Sequence, residues 1–241
     1  MSETLNHLGQ AIGAPLPDWT SRSMPIRTVL QGRFCRLEPL EPARHAADIY
    51  AALQADTEGR NWTYLPTGPF PTLEAFRAWA DSVAAADDPI FFAVIDRATA
   101  KAAGYLSLMR IDTKHGVIEV GHINYAPALQ RRPVATDAQY LLMRYVFDTL
   151  GYRRYEWKCN ALNAPSRAAA TRLGFTYEGT FRQCMVVKGH NRDTAWFSII
   201  DSEWPPIKSA FERWLAPGNF DASGKQRESL SALTKAALIE R

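Results

Sequence analysis

Residues 117–139 of the chain, VIEVGHINYAPALQRRPVATDAQ, are the stretch that decides the fold. The segment from Val117 to Tyr125 is rich in apolar and β-branched residues, which predicts a strand. Thr136-Asp137-Ala138-Gln139 has the form of a capping box, in which the threonine and glutamine side chains each satisfy a free amide at a helix start. Apolar residues then recur at helical spacing until Gly151, which supplies a stop. The stretch therefore predicts a strand, a loop with two arginines and a helix that begins at Thr136.

Further strands and helices are expected on both sides of this stretch. Upstream, the residue patterns predict a first strand at 32–37, helices at 42–54 and 72–86 (the second capped by Thr72), and strands at 90–95 and 103–111. Downstream, they predict a strand at 154–159, a short helix capped by Asn163, a hairpin of strands at 175–187 and 193–200, and a closing helix at 205–215. We therefore predict an α/β (α+β) fold whose sheet is largely antiparallel, with a parallel crossover near its centre.

Composition indicates an ordinary globular protein. The chain has 241 residues, of which 46% are hydrophobic and 22% charged, enough for one large or two small domains. We predict an extended arm at residues 1–30, one domain at 31–204, and a C-terminal helix and tail at 205–241. The three cysteines form no CxxC pair, and no signal peptide or membrane-length apolar run occurs. A cytoplasmic location is the expectation.

The net charge is +3, which is too small to indicate a nucleic-acid partner by itself. Five arginines and two aspartates lie between Gln130 and Arg154, so this one segment carries an excess equal to that of the whole chain. Aromatic residues do not interleave with these arginines, and we expect no nucleic acid as partner.

The loop between the predicted strand and helix is a candidate anion site. A helix start presents free amides and a positive dipole end, and Arg131 and Arg132 precede it. The alternative is that both arginines are simply solvated, and the residues leave the two readings open. No dinucleotide-binding, Walker, HExxH or GxSxG motif occurs, and the five histidines show no metal-ligand spacing, so no metal site is expected.

The chain resembles the GCN5-related N-acetyltransferases (GNAT), in particular the branch of ribosomal-protein N-terminal acetyltransferases. The resemblance covers about residues 31–204 and is carried by four segments in order: Ile118 to Tyr125, Gln130 to Thr136, Asn163 to Arg167, and Leu173 to Gly179. It implies the GNAT fold, in which two parallel strands splay apart and the pantetheine arm of acetyl-coenzyme A (acetyl-CoA) lies between them.

The resemblance also implies a cofactor loop of the form Q/R-x-x-G-x-G/A. Gln130 and Ala135 match it, whereas Pro133 replaces the first glycine and removes one amide donor. The residues implied to bind acetyl-CoA are Tyr125, Gln130, Arg131, Arg132, Val134, Ala135, Thr136, Asn163 and Ser166. No metal is implied.

The implied reaction is direct attack of a primary amine on the thioester. Glu119 would be the base, and Ser166 would protonate the departing thiolate. By strand alternation we expect Glu119 on the face that carries Ile123 and Tyr125, among mostly apolar side chains. The alternatives are a structural glutamate paired with an arginine, and a serine that only belongs to a helix start.

The acceptor is expected to be a protein N-terminus or a small amino compound. Trp62 and Tyr64, together with Glu119, are the predicted substrate-binding residues, and packing of the two aromatic side chains against the sheet is equally open. A non-catalytic GNAT-fold protein that binds a CoA derivative or a protein partner is the alternative function. The apolar terminal hairpin could contribute to a homodimer or to the core.

Overall fold

An eight-stranded sheet forms the centre of the structure, a computed structural model that describes residues 4–239. In chain order the strands are Thr4–Leu5 (β1), Ala11–Ile12 (β2), Leu30–Gln31 (β3), Cys35–Pro39 (β4), Ile90–Asp96 (β5), Lys101–Asp112 (β6), Val117–Tyr125 (β7), Arg154–Asn160 (β8), Thr176–Val187 (β9) and His190–Ile200 (β10). The large sheet has the order β3-β4-β5-β6-β7-β8-β10-β9, and β1 and β2 form a separate pair.

Helices pack on both faces of this sheet. They are Pro42–Leu53 (α1), Leu73–Ala84 (α2), Pro133–Arg144 (α3), Ala164–Arg172 (α4), Trp204–Leu215 (α5) and Leu230–Ile239 (α6). One buried cluster joins α3 and α5 to the sheet, and a second joins α1 and α2 to β5 and β6. On the face covered by α1 and α2, the neighbouring strands β7 and β8 carry the charged residues Glu119, Glu156 and Lys158.

β7 and β8 pair in parallel, and their pairing stops partway. Hydrogen-bonded partners run from Val117 and Arg154 to Val120 and Trp157. Beyond this point β7 continues to Tyr125 and β8 to Asn160. The other pairs of the described sheet are antiparallel. The predicted fold class is therefore confirmed, including the splayed parallel pair.

A bulge interrupts β7 where it leaves β8. Ser107 faces Gly121 and Tyr105 faces Asn124, so two residues of β7 lie opposite one residue of β6. His122, the first of the two, has a left-handed backbone with φ of 49°. A bulge of this kind shifts the alternation of side chains along the strand.

The start of α3 corrects a prediction from sequence. The helix begins at Pro133 after Arg132, three residues before the predicted cap at Thr136. Thr136 lies inside the helix, where its Oγ1 accepts a hydrogen bond from Arg172. The Asp137 carboxylate accepts from the backbone amides of Phe34 and Cys35. The capping box is therefore absent at these residues, because proline suits the first helical position and tertiary partners occupy the polar side chains.

Other predicted boundaries hold more closely. Thr72 and Asn163 cap α2 and α4 through their side chains, as predicted. The strand predicted at 32–37 lies at Cys35–Pro39, and the two-residue strand β3 precedes it in the sheet.

The C-terminal segment contains a helix that the sequence patterns did not predict. In α6, Leu230 and Thr234 are buried, and the Thr234 hydroxyl donates to the carbonyl of Arg172. This segment therefore packs on the end of α4. Within residues 4–239, no helix is long and apolar enough to cross a membrane.

Candidate active site

The gap between β7 and β8 is the candidate active site. Because the two strands are parallel, their carboxyl ends lie at one edge of the sheet, and the chain then enters α3 from β7 and α4 from β8. Crevices at the carboxyl ends of diverging parallel strands are common ligand sites. The gap is thus bordered by two helix starts, at Arg132 and at Asn163.

The start of α3 carries two arginines that are not engaged within the protein. Arg131 and Arg132 are exposed, and neither side chain forms a hydrogen bond or ion pair with the residues the structure describes. Arg131 has a left-handed backbone with φ of 58°. Val134 is buried and Ala135 half-buried, so a ligand would meet this turn through its backbone amides and the two guanidinium groups.

Gln130 and Tyr125 are held by internal hydrogen bonds. Nε2 of Gln130 donates to the Tyr125 carbonyl and to Oδ1 of Asn61, at 2.9 Å in each case. Asn61 also donates to the Tyr125 carbonyl at 2.9 Å. The Tyr125 hydroxyl accepts from Gln139 of α3 at 2.8 Å, and its burial raises the pKa of this phenol. A ligand in the gap would therefore meet Tyr125 through its backbone.

Asn61 is a site residue that the sequence analysis missed. It links the loop after α1 to the end of β7 and to Gln130. The only local signal was the polar Asp56, whose carboxylate accepts from the amides of Arg60 and Asn61.

Asn163 and Ser166 meet at the start of α4. The Asn163 side chain accepts from the Ser166 amide at 3.2 Å. Oγ of Ser166 in turn accepts from Nε1 of Trp157, on β8, at 3.0 Å. Ser166 therefore belongs to the helix start and also lies against the strand that borders the gap.

Glu119 lies in a charged setting, which corrects the expectation of apolar neighbours. Its Oε2 is 2.9 Å from Nζ of Lys158 and 3.2 Å from Nε of Arg110. Burial raises the pKa of the Glu119 carboxyl, and the Lys158 ammonium is the largest opposing influence. Tyr125 and Ile123, which were predicted to share a face with Glu119, lie on the opposite face of the sheet. The Tyr125 hydroxyl bonds to α3, and Ile123 packs against the buried cluster that contains α3. The bulge at His122 is the reason, because it reverses the alternation beyond Gly121.

Lys158 is the second residue that the sequence analysis missed. Its side chain is only 6% exposed, and its ammonium also lies 2.6 Å from Glu156 and 3.9 Å from the ring centroid of Trp196. The signal in the sequence was the strict alternation of charged residues along β8, at Arg154, Glu156 and Lys158. This alternation places Lys158 on the same face as Glu119.

The aromatic residues of the loop after α1 differ in their surroundings. Trp62 is buried against Phe70, as the packing alternative expects, and its carbonyl accepts from Nζ of Lys188 at 2.8 Å. Tyr64 is half-buried, and its hydroxyl donates to the Leu162 carbonyl at 3.2 Å. The loop is thereby tied to the β8–α4 connection and to the tip of the β9–β10 hairpin.

Comparison with known proteins identifies the family. Residues 35–176, more than half of the chain, match the family model described as acetyltransferase (GNAT) domain. The chain belongs to the GNAT family. A crystal structure of a GCN5-related N-acetyltransferase from Brucella melitensis is 52% identical, with a TM-score of 0.89, and the match covers 91% of this chain and 100% of that one.

Other GNAT relatives are more distant. A probable GNAT-family acetyltransferase from Chromobacterium violaceum is 41% identical with a TM-score of 0.75, over 81% of this chain and 98% of that one. A Bacillus subtilis protein, YdaF, provisionally named a ribosomal N-acetyltransferase, is 30% identical over 42% of this chain. That match spans 55% of YdaF, so the chain covers little more than half of this curated relative. The resemblance to the ribosomal branch is thus supported by a named relative.

Proposed function

We propose that this GNAT protein is an acetyl-CoA-dependent N-acetyltransferase that moves an acetyl group to a primary amine. The observation that carries the proposal is the gap beyond Val120 and Trp157, bordered by two helix starts, one of them with two unengaged arginines. Such a gap suits an extended ligand with a phosphorylated end.

The residues at the start of α3 fit a pyrophosphate. Arg131 and Arg132 supply fixed positive charge in a geometry that matches phosphate. The amides of Val134, Ala135 and Thr136 lie at the positive end of the helix dipole. Pro133 supplies no amide. At the other helix start, Asn163 and Ser166 would lie beside the pantetheine arm.

The acceptor amine would approach on the face that carries Glu119. Acetyl-CoA supplies the acetyl group, while the protein's own residues hold the ammonium and move its protons. Oε2 of Glu119 is occupied by Lys158 and Arg110, whereas Oε1 has no hydrogen-bond partner among residues 4–239 and is the oxygen proposed to receive a proton. Its raised pKa suits a base, because the proton is then accepted more readily.

A protein N-terminus or a small amino compound is the proposed acceptor. The provisional name of YdaF supports the first, and the loop with Trp62 and Tyr64 would border the pocket for either. Ser166, in contact with Trp157, is proposed to protonate the thiolate.

Calorimetric titration with acetyl-CoA tests the cofactor half of the proposal. We expect saturable binding, and no detectable binding at millimolar acetyl-CoA would overturn the function. Thiol release is then measured with peptides that begin with serine or alanine and with a panel of aminoacyl amides and aminoglycosides. Binding without thiol release from the whole panel would favour a non-catalytic GNAT protein.

The substitution Glu119→Gln tests the proposed base. We expect the rate of thiol release to fall by about 100-fold, the lower end for a lost general base, because the amide cannot accept the proton. The affinity for acetyl-CoA should stay nearly unchanged. An unaffected rate would remove Glu119 from the mechanism.

A further inference from the structure

Acetylation of an amine requires more than one proton acceptor. An ammonium nitrogen carries three hydrogens and the amide product carries one, so two protons must leave the nitrogen. As the nitrogen–carbon bond forms and the carbon–sulfur bond breaks, one proton ends on the CoA thiol and the other in solvent. If Glu119 takes the proton that frees the amine, a second base beside the nitrogen can take the proton lost after attack and pass it to the thiolate or to solvent.

We infer that His122 is a second general base of the reaction, an inference that rests on the proposed function. Its Nε2 is the atom that accepts a proton from the attacking nitrogen. His122 lies in the part of β7 that has separated from β8. It occupies the bulge, which directs its ring to the face of Glu119, where it packs against Phe91 with ring centroids 5.0 Å apart. Bulges beside active sites commonly re-aim a side chain in this way.

Hydrogen bonding sets the tautomer of the ring. Oγ of Ser107 lies 3.2 Å from the carbonyl of Gly121 and 3.0 Å from Nδ1 of His122. With both contacts formed as hydrogen bonds, the single proton of the hydroxyl goes to Gly121, because a carbonyl only accepts. Nδ1 must then donate to Ser107, which leaves Nε2 unprotonated with a free lone pair. A base oriented by a third group is the arrangement that proton transfer needs.

Nε2 is open to solvent and to a ligand. It has no hydrogen-bond partner among residues 4–239. His122 is half-buried, and its Nε2 is not among the fully buried atoms without a partner in this part of the chain, so it keeps some exposure.

Burial and a neighbouring arginine favour the neutral imidazole of His122. Burial is the main cause of its lowered pKa, and Arg110 of β6 lowers it further, whereas Asp88, before β5, opposes the shift. Glu119, Glu156 and Lys158 are also charged groups on this face, and Arg110 forms an ion pair with Glu119. The lowered pKa means that the ring stays unprotonated at neutral pH and becomes charged only in more acidic solution.

Two measurements test the inference. Long-range proton–nitrogen NMR of the labelled wild-type chain, with His122 assigned by comparison with His122→Asn, reads the tautomer without any substrate. We expect an unprotonated Nε2 at neutral pH. A protonated Nε2, or a charged ring, would overturn the inference.

The kinetic test compares His122→Asn with His115→Asn, using whichever amine of the panel releases thiol fastest. Asparagine tolerates the left-handed backbone, so the variant should fold. We expect kcat/KM to fall by about 100-fold and the acid side of its pH profile to change, with the affinity for acetyl-CoA retained. His115 is exposed and pairs with Asp112, so its variant should match the wild type.

The outcomes separate the two proposals. An unchanged rate and pH profile in His122→Asn, with an active wild type, would overturn the role of His122 alone. A wild type that transfers no acetyl group would overturn the proposed function and with it the role of His122.

Discussion

The two sides of the β7–β8 gap are built from opposite kinds of interaction. At the start of α3, the side chains of Arg131 and Arg132 are exposed and have no partner in the described chain. On the face of Glu119, the ammonium of Lys158 is buried between two carboxylates. One side is thus left free for an outside anion, whereas the other already neutralises its own charges. The exposed charge is therefore available to an outside anion, whereas the buried charge is already paired within the protein.

Removal of the buried ammonium should have the largest effect on stability. Lys158→Met removes the buried cation that Glu119 and Glu156 share and leaves them only Arg110 and Arg154, so we expect a loss of about 3 kcal/mol in the free energy of unfolding, the lower end for a broken buried pair. Urea denaturation measures it.

Lys208→Met is the matched control for this prediction. Lys208 pairs with Asp148, but both side chains are about one-third exposed, at 34% and 32%. Exposed pairs contribute about 0–1 kcal/mol. Equal losses in the two variants would contradict the contrast between buried and exposed charge.

The exposed arginines should affect binding and leave stability nearly unchanged. For the double variant Arg131→Ala/Arg132→Ala we expect acetyl-CoA to bind about 10- to 100-fold more weakly, since a charged hydrogen bond contributes about 1.5–3 kcal/mol. The loss should shrink as salt concentration rises, because salt screens exposed charges. Calorimetry measures the affinity.

Arg77→Ala serves as the control for the arginine variant. Arg77 is exposed on α2, so its removal lowers the net charge by one away from the start of α3, and it is compared with the single variants Arg131→Ala and Arg132→Ala, which make the same change. If Arg77→Ala weakened binding equally, overall charge would explain the effect, and the site at α3 would be refuted.

The sequence predicted the features that depend on neighbouring residues and missed those that depend on distant ones. Strand β7 was predicted with its observed ends, and the caps Thr72 and Asn163 were correct, because each rests on neighbouring residues. The cap predicted at Thr136 failed because Asp137 bonds to a strand about 100 residues earlier in the chain. Local pattern carries no information about such contacts.

The face of the sheet that carries Glu119 depends on contacts between residues that are far apart in the sequence. Lys158 reaches Glu119 across 39 positions of sequence, and the bulge at His122 depends on the register between β6 and β7. Helix α6 was missed because it follows the polar stretch 221–229 and buries few residues, among them Leu230 and Thr234. The anion loop, by contrast, is contiguous and could be located by motif.

The smallest expected effect concerns Pro133, the departure from the glycine of the family loop. Pro133→Ala restores an amide in the first turn of α3, and we expect acetyl-CoA to bind about 3- to 5-fold more tightly, the gain of about one neutral hydrogen bond. Stability should fall slightly, because proline restricts the unfolded chain. Pro42→Ala is the matched control, since Pro42 begins α1 in the same way and α1 does not border the gap. It should lose similar stability with no change in affinity. An unchanged affinity in Pro133→Ala would contradict a contact between the phosphates and this amide. Binding at the start of α3 would then depend on the side chains of Arg131 and Arg132 and not on the backbone at position 133.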